Sequence, residues 1–197
     1  MNVDRIVNEL RNGNLVITPT DTVYGIMGDS KNRDVIEKVY EAKKRDKRKP
    51  LILLVSDIDM LKEYTKELNN LEEELIKRYM PGKLTIILKK NDKVMNSITN
   101  NSEYVGIRIP DNKYLIDIIN KLGNPVISTS ANLSNEEVIT DIHSINKELL
   151  EYISFIYDGG IIKASSSTII KVVDNNIEFL REGELASIIK SNYKLFK

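Results

Sequence analysis

The sequence contains no cysteine and a single histidine, His143. The absence of cysteine excludes disulfide bonds, thiolate catalysis and cysteine-based zinc sites. One histidine is too few for a histidine-rich metal centre, and it leaves no easy way to assemble a Ser–His–Asp triad with a spare base. Any chemistry that this chain performs must therefore use Lys, Arg, Ser, Thr, Asn, Tyr, carboxylates or backbone groups.

Long apolar runs are also missing. No stretch of about 18 apolar residues is present, so the sequence predicts no membrane span. Residues 1–13 have the pattern of an amphipathic helix rather than that of a signal peptide. We therefore expect a cytoplasmic protein.

Neither sign of charge is in excess. The 197 residues include 29 Lys+Arg and 29 Asp+Glu, and this balance argues against a polybasic protein that coats nucleic acid. At roughly 100–200 residues per domain, a chain of this length with 41% hydrophobic residues is expected to form a single domain over residues 1–197. The charge is unevenly spread, because Lys43–Lys49 contains six bases and one acid.

Strand-like and helix-like patterns alternate along the chain. Apolar residues at helical spacing predict, for example, a helix over 142–153, and short apolar runs predict strands such as 105–109. Hairpin-like pairing near the end favours a mixed sheet over a purely parallel one. Two polar loops are expected directly after buried strands, at 18–25 and 128–140.

Loops that follow strands are where open α/β sheets place their ligands. Segment 18–25 carries three Thr hydroxyls, a carboxylate and a phenol, and segment 127–134 carries hydroxyls and an amide that can bond phosphate or ribose oxygens. Ordinary polar turns, in which Ser, Thr and Asn side chains bond the backbone, explain both segments equally well.

Two further features indicate an anionic ligand. The run Lys43–Lys49 could be a solvated charge run at the end of a helix, where cations suit the helix dipole. Because six like charges repel one another, we favour a site for phosphates or nucleic acid. Arg108 lies in an otherwise apolar strand, and a buried arginine needs a partner such as a ligand carboxylate.

Seven motifs in a fixed order carry a resemblance to a known family. They are PTDTVYG, AK-x-R with K-P-L downstream, PG-x-LT, V-x-I-R-I-P, STSANLS, DGG with STI, and R-x-G. The chain resembles the YrdC/Sua5/TsaC family of L-threonylcarbamoyladenylate synthases, in the short TsaC-like form, over about residues 3–190.

The resemblance implies a fold and a reaction. The fold would be a YrdC-like (RibB-like) α/β domain, a twisted mixed β-sheet flanked by helices with a basic concave face. The reaction would convert L-threonine, bicarbonate or CO2, and ATP into threonylcarbamoyl-AMP and pyrophosphate. The product would serve the N6-threonylcarbamoyladenosine (t6A) modification at tRNA position 37.

The resemblance also implies the site residues. It places Lys43 and Arg45 as catalytic groups that neutralise the triphosphate, with Mg2+ carried by the phosphates and no metal site of the protein's own. The ATP-binding residues would be Lys43, Arg45, Lys49, Tyr104, Ser130, Asn132, Thr140 and Arg181. Those that hold L-threonine would be Thr22, Arg108, Ser128 and Ser167.

Two other functions stay open. One is a module that binds double-stranded RNA or tRNA, and the other is a YciO-like paralogue without synthase activity. The synthase interpretation adds hand-over of the product to a t6A transferase complex and contact with tRNA, and no membrane partner.

Overall fold

The computed structural model describes residues 3–163 and 165–193. Helices in this part of the chain are Val3–Arg11 (α1), Arg33–Ala42 (α2), Ile58–Tyr64 (α3), Asn70–Tyr79 (α4), Asn96–Thr99 (α5), Lys113–Leu122 (α6), Lys147–Leu150 (α7) and Ala186–Asn192 (α8). Within the same residues, no helix is long and apolar enough to cross a membrane.

All strands of the described residues belong to one mixed sheet. They are Leu15–Pro19 (β1), Tyr24–Asp29 (β2), Ile52–Leu54 (β3), Leu84–Lys89 (β4), Tyr104–Arg108 (β5), Val126–Ser130 (β6), Ile153–Ile156 (β7), Thr168–Val173 (β8) and Asn176–Arg181 (β9). Their order across the sheet is β7-β1-β2-β6-β3-β5-β4-β8-β9. The sheet combines parallel pairs (β1 with β7, β3 with β5, β4 with β8) with antiparallel ones, as predicted for a mixed α/β fold.

Short polar side chains set the helix starts. Asn32 caps α2 by accepting from two backbone N–H groups, and Asn69 forms a capping box with Glu72 at the start of α4. Asn112 caps α6 as Asn32 caps α2, by accepting from two backbone N–H groups. Gly123 ends α6 at φ 83°, a left-handed conformation that favours glycine.

The two faces of the sheet are covered to different extents. Helices α2, α3 and α4 pack on one face and bury the main hydrophobic core. On the other face, α1 and α6 pack against Val16, Met27, Leu54 and Val126, which lie on β1, β2, β3 and β6. Because side chains alternate along a strand, Ser128 on β6 lies on this second face, beyond the helices. There the sheet faces a cavity.

Three predicted elements differ from the structure. In the predicted loop 18–25, residues 18–19 belong to β1 and residues 24–25 to β2, so only 20–23 form the tight turn of a hairpin between the two strands. Residues 128–130 belong to β6, and the loop begins after them. The predicted helix 142–153 is a 3-10 turn, a short helix and part of β7. The predicted domain boundaries include residues 1–2, 164 and 194–197, which lie outside the described residues.

Candidate active site

A cavity of about 600 Å3 opens on the half-covered face of the sheet. Its floor comes from β3, β5, β4 and β8, and its walls come from the β1–β2 hairpin, the segment after α2 and the ends of β6 and β9. Seven of the predicted site residues line it: Thr22, Arg45, Ser128, Ser130, Arg108, Ser167 and Arg181. Residues scattered over the whole sequence therefore converge on one site.

Arg108 is buried at the end of β5 and is held by three groups. Its Nε donates to the carbonyl oxygen of Gly82 at 3.0 Å, its Nη1 donates to Thr22 Oγ1 at 3.2 Å, and its Nη2 pairs with the carboxylate of Asp21. Burial lowers the pKa of Arg108, and the charge of Asp21 raises it. These contacts use three of the five N–H bonds of the guanidinium, so with respect to the described residues the group is fixed and keeps donor capacity for a ligand.

The hairpin between β1 and β2 places Thr22 at the cavity. Thr20 Oγ1 accepts from the backbone N–H groups of Thr22 and Val23 and donates to the carbonyl of Val23. These bonds form the ordinary polar turn that was one of the two interpretations of segment 18–25. The other interpretation, a ligand-binding loop, is compatible with it, because the same turn places Thr22 beside Arg108 in the cavity lining.

Ser167 is held from the opposite side by Arg181. Arg181 Nε donates to the backbone carbonyl of Ser167 at 2.9 Å, and its Nη2 donates to Ser167 Oγ at 2.6 Å. Thr85 Oγ1 lies 2.9 Å from the same hydroxyl. Gly183 allows its backbone to lie close to that of Ser166 and Ser167, because a Cβ at this position would lie 2.3 Å from the carbonyl oxygen of Ser166.

The basic run is largely paired on the surface. Lys44 pairs with Glu148, Lys47 with Glu37 and Arg48 with Asp46. Arg45 instead turns toward the cavity, where its Nε and Nη2 donate to the carbonyl oxygens of Lys49 and Pro50. The run therefore contributes one fixed guanidinium to the cavity lining rather than a diffuse positive patch.

Lys43 is buried behind the cavity. Its Nζ donates to the carbonyl oxygens of Ser130 and Asn132, each at 2.5 Å, and to Asn132 Oδ1 at 3.3 Å. Burial and the charge of Arg45 lower the pKa of Lys43 to about 7. The two basic residues of the AK-x-R motif thus have different surroundings. Arg45 lines the cavity, whereas Lys43 bonds oxygen atoms of Ser130 and Asn132 in the protein interior.

The electrostatics of the cavity favour an anion. Arg45, Arg108 and Arg181 line it, and no Asp or Glu is among its described lining residues. Asp21 compensates Arg108 from behind. Among residues 3–163 and 165–193, no group of three or more His, Asp or Glu side chains could hold a metal ion. The lining combines fixed cations with hydroxyls, an arrangement that binds phosphate and carboxylate oxygens.

The sequence model of the Sua5/YciO/YrdC family, described as telomere recombination, matches residues 8–183. The chain belongs to this family. Among relatives, a Methanocaldococcus jannaschii protein with the provisional name threonylcarbamoyl-AMP synthase is 40% identical over 177 residues, covering 89% of this chain and 82% of that protein. The Bacillus subtilis threonylcarbamoyl-AMP synthase is 36% identical over 176 residues, covering 88% of this chain and 51% of that protein.

A solved structure of the family has the same fold. The structure of Pyrococcus abyssi Sua5 complexed with L-threonine matches with a TM-score of 0.89 and 30% sequence identity, over 95% of this chain and 56% of that one. The predicted twisted mixed sheet flanked by helices is thereby confirmed. This family member spans about half the length of the Bacillus subtilis and Pyrococcus abyssi proteins.

The other predicted site residues, Lys49, Tyr104, Asn132 and Thr140, are not among the residues that line the cavity. Asn132 is buried against Lys43 and donates to the carbonyl of Glu136. Lys49 is exposed, and Thr140 accepts at its carbonyl from the backbone of the loop 158–163. Tyr104 lies at the far end of β5 from Arg108, in a second cavity of about 380 Å3 beside Lys171.

Two residues at the site were not predicted from the sequence. Asp21 pairs with Arg108, and Thr85 bonds Ser167. Both lie inside motifs that carry the family resemblance, PTDTVYG and PG-x-LT. Their position within these motifs was the available signal, but their partners are 87 and 82 residues away along the chain.

Proposed function

We propose that this chain forms L-threonylcarbamoyl-AMP and pyrophosphate from L-threonine, bicarbonate or CO2, and ATP, as a nucleotidyl transfer enzyme. The observation that carries the proposal is the convergence of Arg45, Arg108 and Arg181 with Ser and Thr hydroxyls on one cavity, with no carboxylate among its described lining residues. Relatives that carry the threonylcarbamoyl-AMP synthase name support it. The cavity volume also lies in the range of about 300–1,000 Å3 typical of small-molecule sites.

ATP would lie on the side of the cavity formed by Arg45 and Ser130, with Arg181 also within the lining. Negative charge on the phosphoryl oxygens would be neutralised by guanidinium groups that other contacts already hold in place. Mg2+ would enter as part of the ATP complex, as substrate, because the lining residues that the structure describes include no carboxylate. When bound, Mg2+ supplies further neutralisation of phosphate charge. Lys43 would support this side from behind, through Ser130.

Threonine would lie between Arg108, Thr22, Ser128 and Ser167, all of which line the cavity. Arg108 can pair with its carboxylate while it keeps its bonds to Gly82 and Asp21. The match to the Sua5 structure complexed with L-threonine supports an amino-acid site in this fold.

The reaction would use positioning rather than a histidine base. The threonine amine adds to CO2, which forms a carbamate and releases a proton to water. A carbamate oxygen then attacks the α-phosphorus of ATP, and the bond from that phosphorus to the oxygen bridging to the β-phosphorus breaks, so pyrophosphate leaves. Holding both substrates in one cavity converts this step into an effectively intramolecular one.

Release of pyrophosphate tests this function. The purified chain is incubated with ATP, Mg2+ and bicarbonate, with L-threonine present, absent or replaced by L-serine or L-valine. We expect pyrophosphate only when ATP, bicarbonate and L-threonine are all present. Pyrophosphate release that ignores the amino acid, or none at all from folded protein, would refute the synthase and favour a YciO-like paralogue.

The RNA-binding alternative has its own outcome in the same preparation. Binding to tRNA that needs neither ATP nor threonine and that weakens steeply with salt would support it. In the synthase, the product would instead pass to a t6A transferase that acts on tRNA, in the cytoplasm.

A further inference from the structure

Thr85 contacts Ser167, one of the predicted threonine-binding residues, from the protein interior. It lies on β4, with no exposed surface, and β4 pairs with β8 so that Leu84 is opposite Thr168. This register brings Thr85 Oγ1 to 2.9 Å from Ser167 Oγ. Thr85 itself is not part of the cavity lining. Its contact with the site therefore passes through Ser167.

The direction of this hydrogen bond follows from the surroundings of Thr85. Over residues 3–163 and 165–193, Ser167 Oγ is the hydrogen-bond partner that Thr85 Oγ1 has. If Ser167 donated its proton to Thr85, the proton of Thr85 would be buried without an acceptor, at a cost of about 1–3 kcal/mol. Thr85 therefore donates to Ser167.

Arg181 adds a second donor to the same oxygen. Its Nη2 lies 2.6 Å from Ser167 Oγ, and a guanidinium can only donate. A hydroxyl oxygen accepts two hydrogen bonds and donates one. With Thr85 and Arg181 both donating, the acceptor capacity of Ser167 is used. Its own proton is then left for a ligand in the cavity.

We propose that Thr85 is a positioning residue that makes Ser167 an obligate hydrogen-bond donor toward the substrate. The ligand atom at Ser167 is therefore a hydrogen-bond acceptor, which we assign to an oxygen of the carboxylate of L-threonine. The ammonium form of the amino group lies elsewhere, because an ammonium only donates and Ser167 has no acceptor capacity left for it. This inference rests on the proposed function, since it assigns the orientation of the amino acid in that site.

Variants of Thr85 test the proposal in the pyrophosphate assay. Thr85→Val keeps the shape and loses the hydroxyl, so one lone pair of Ser167 loses its donor and the Ser167 hydroxyl is no longer held in the orientation that donates to the ligand. We expect the KM for L-threonine to rise by about 3- to 10-fold, the equivalent of one hydrogen bond, while kcat changes by less than about twofold. Thr85→Ser retains the hydroxyl and is expected to restore the KM. Thr85→Ala controls for crowding by the new methyl group.

A matched control separates positioning from general destabilisation. Thr65 is also buried, and its hydroxyl donates to the carbonyl of Leu61, away from the cavity. Thr65→Val is expected to lower the melting temperature without raising the KM for L-threonine. If Thr85→Val and Thr65→Val change KM equally, the effect is structural and the proposal is overturned.

A double-mutant cycle with Ser167→Ala gives the decisive result. If Thr85 acts through Ser167, adding Thr85→Val to Ser167→Ala raises the KM no further. Additive effects would overturn the proposal. An unchanged KM in Thr85→Val, with threonine-dependent activity in the wild type, would overturn it while the proposed function stands. If the wild type itself lacks threonine dependence, the proposed function fails and this inference fails with it.

Discussion

The ammonium of Lys43 donates to both oxygen atoms of Asn132, the backbone carbonyl at 2.5 Å and the side-chain Oδ1 at 3.3 Å. Lys43 stands at the C-terminal cap of α2, and Asn132 follows the end of β6. A buried cation that meets several oxygen acceptors holds two distant chain segments together. The AK-x-R and STSANLS motifs are thus in direct contact, and Lys43 supports the strand end that carries Ser130.

Replacing Lys43 by Met is expected to lower the free energy of unfolding by about 1–3 kcal/mol, because buried carbonyl oxygens lose their donor. Urea denaturation of Lys43→Met at pH 7 measures this. Lys44→Met is the matched control, since the side chain of Lys44 is exposed and pairs with Glu148 at the surface. Equal stability of the two variants would contradict the supporting role of Lys43.

The same side chain predicts how stability depends on pH. Burial, and then the charge of Arg45, lower the pKa of Lys43 from 10.5 to about 7, while Glu136 opposes the shift. Between pH 7 and 10.5 the unfolded chain holds a proton that the native chain has lost. Raising the pH across this window therefore stabilises the native state, by at most about 1.4 kcal/mol per pH unit. Below pH 7 both states are protonated and this contribution is flat.

Comparison with Lys43→Met isolates this contribution from other titrating groups. We expect the difference in unfolding free energy between wild type and variant to grow between pH 7 and pH 9. A difference that stays constant in urea titrations at pH 7, 8 and 9 would show that the oxygen acceptors around Lys43 hold its proton through this range.

Much of the fold follows from the hydrophobic pattern, and β2 shows where the pattern fails. Its sequence from Tyr24 to Asp29 contains two glycines, which have low strand propensity and interrupt the alternation of side chains. The reason for one of them is tertiary. A Cβ on Gly28 would lie 2.3 Å from Val35 Cγ1 on α2. Such a contact is invisible until strand and helix are placed together.

Seven of the residues that line the cavity could also be predicted from the sequence, because they lie in the motifs that carry the family resemblance. The sequence does not tell whether a side chain in such a motif faces a ligand or bonds other parts of the protein. Lys43 and Arg45 belong to one motif, but the oxygen partners of Lys43 are 87 and 89 residues away. Asp21 and Thr85 escape prediction for the same reason, since burial and a distant partner define their roles.

Arg45 is expected to be essential for the proposed activity and dispensable for folding. Arg45→Gln removes the guanidinium that would meet the phosphates, and loss of a charge-assisted contact lowers kcat/KM for ATP by about 10- to 150-fold. Arg48→Gln is the matched control from the same basic segment, Lys43–Lys49, because Arg48 is exposed and paired with Asp46. Pyrophosphate release by the two variants decides the outcome. Similar rates for Arg45→Gln and wild type would remove Arg45 from the ATP site.

Position 183 lies so close to the backbone of Ser166 and Ser167 that we expect it to tolerate no residue other than glycine. An alanine Cβ at this position would lie 2.3 Å from the carbonyl oxygen of Ser166 and 2.6 Å from the carbonyl carbon of Ser167. Both contacts are to backbone, which cannot turn aside as a flexible side chain can, so the segment must shift. We expect Gly183→Ala to lower the free energy of unfolding by about 1–3 kcal/mol.

Because Ser167 moves with this segment, the KM for L-threonine should rise in Gly183→Ala as well. Ser187→Ala on the exposed side of α8 is the matched control, and its stability should stay within about 0.5 kcal/mol of wild type. Urea denaturation and the pyrophosphate assay measure the two effects on one preparation. A Gly183→Ala protein that is destabilised but keeps its KM would show that Ser167 tolerates displacement of its backbone, and the threonine site would then depend on Arg108 and Thr22 instead.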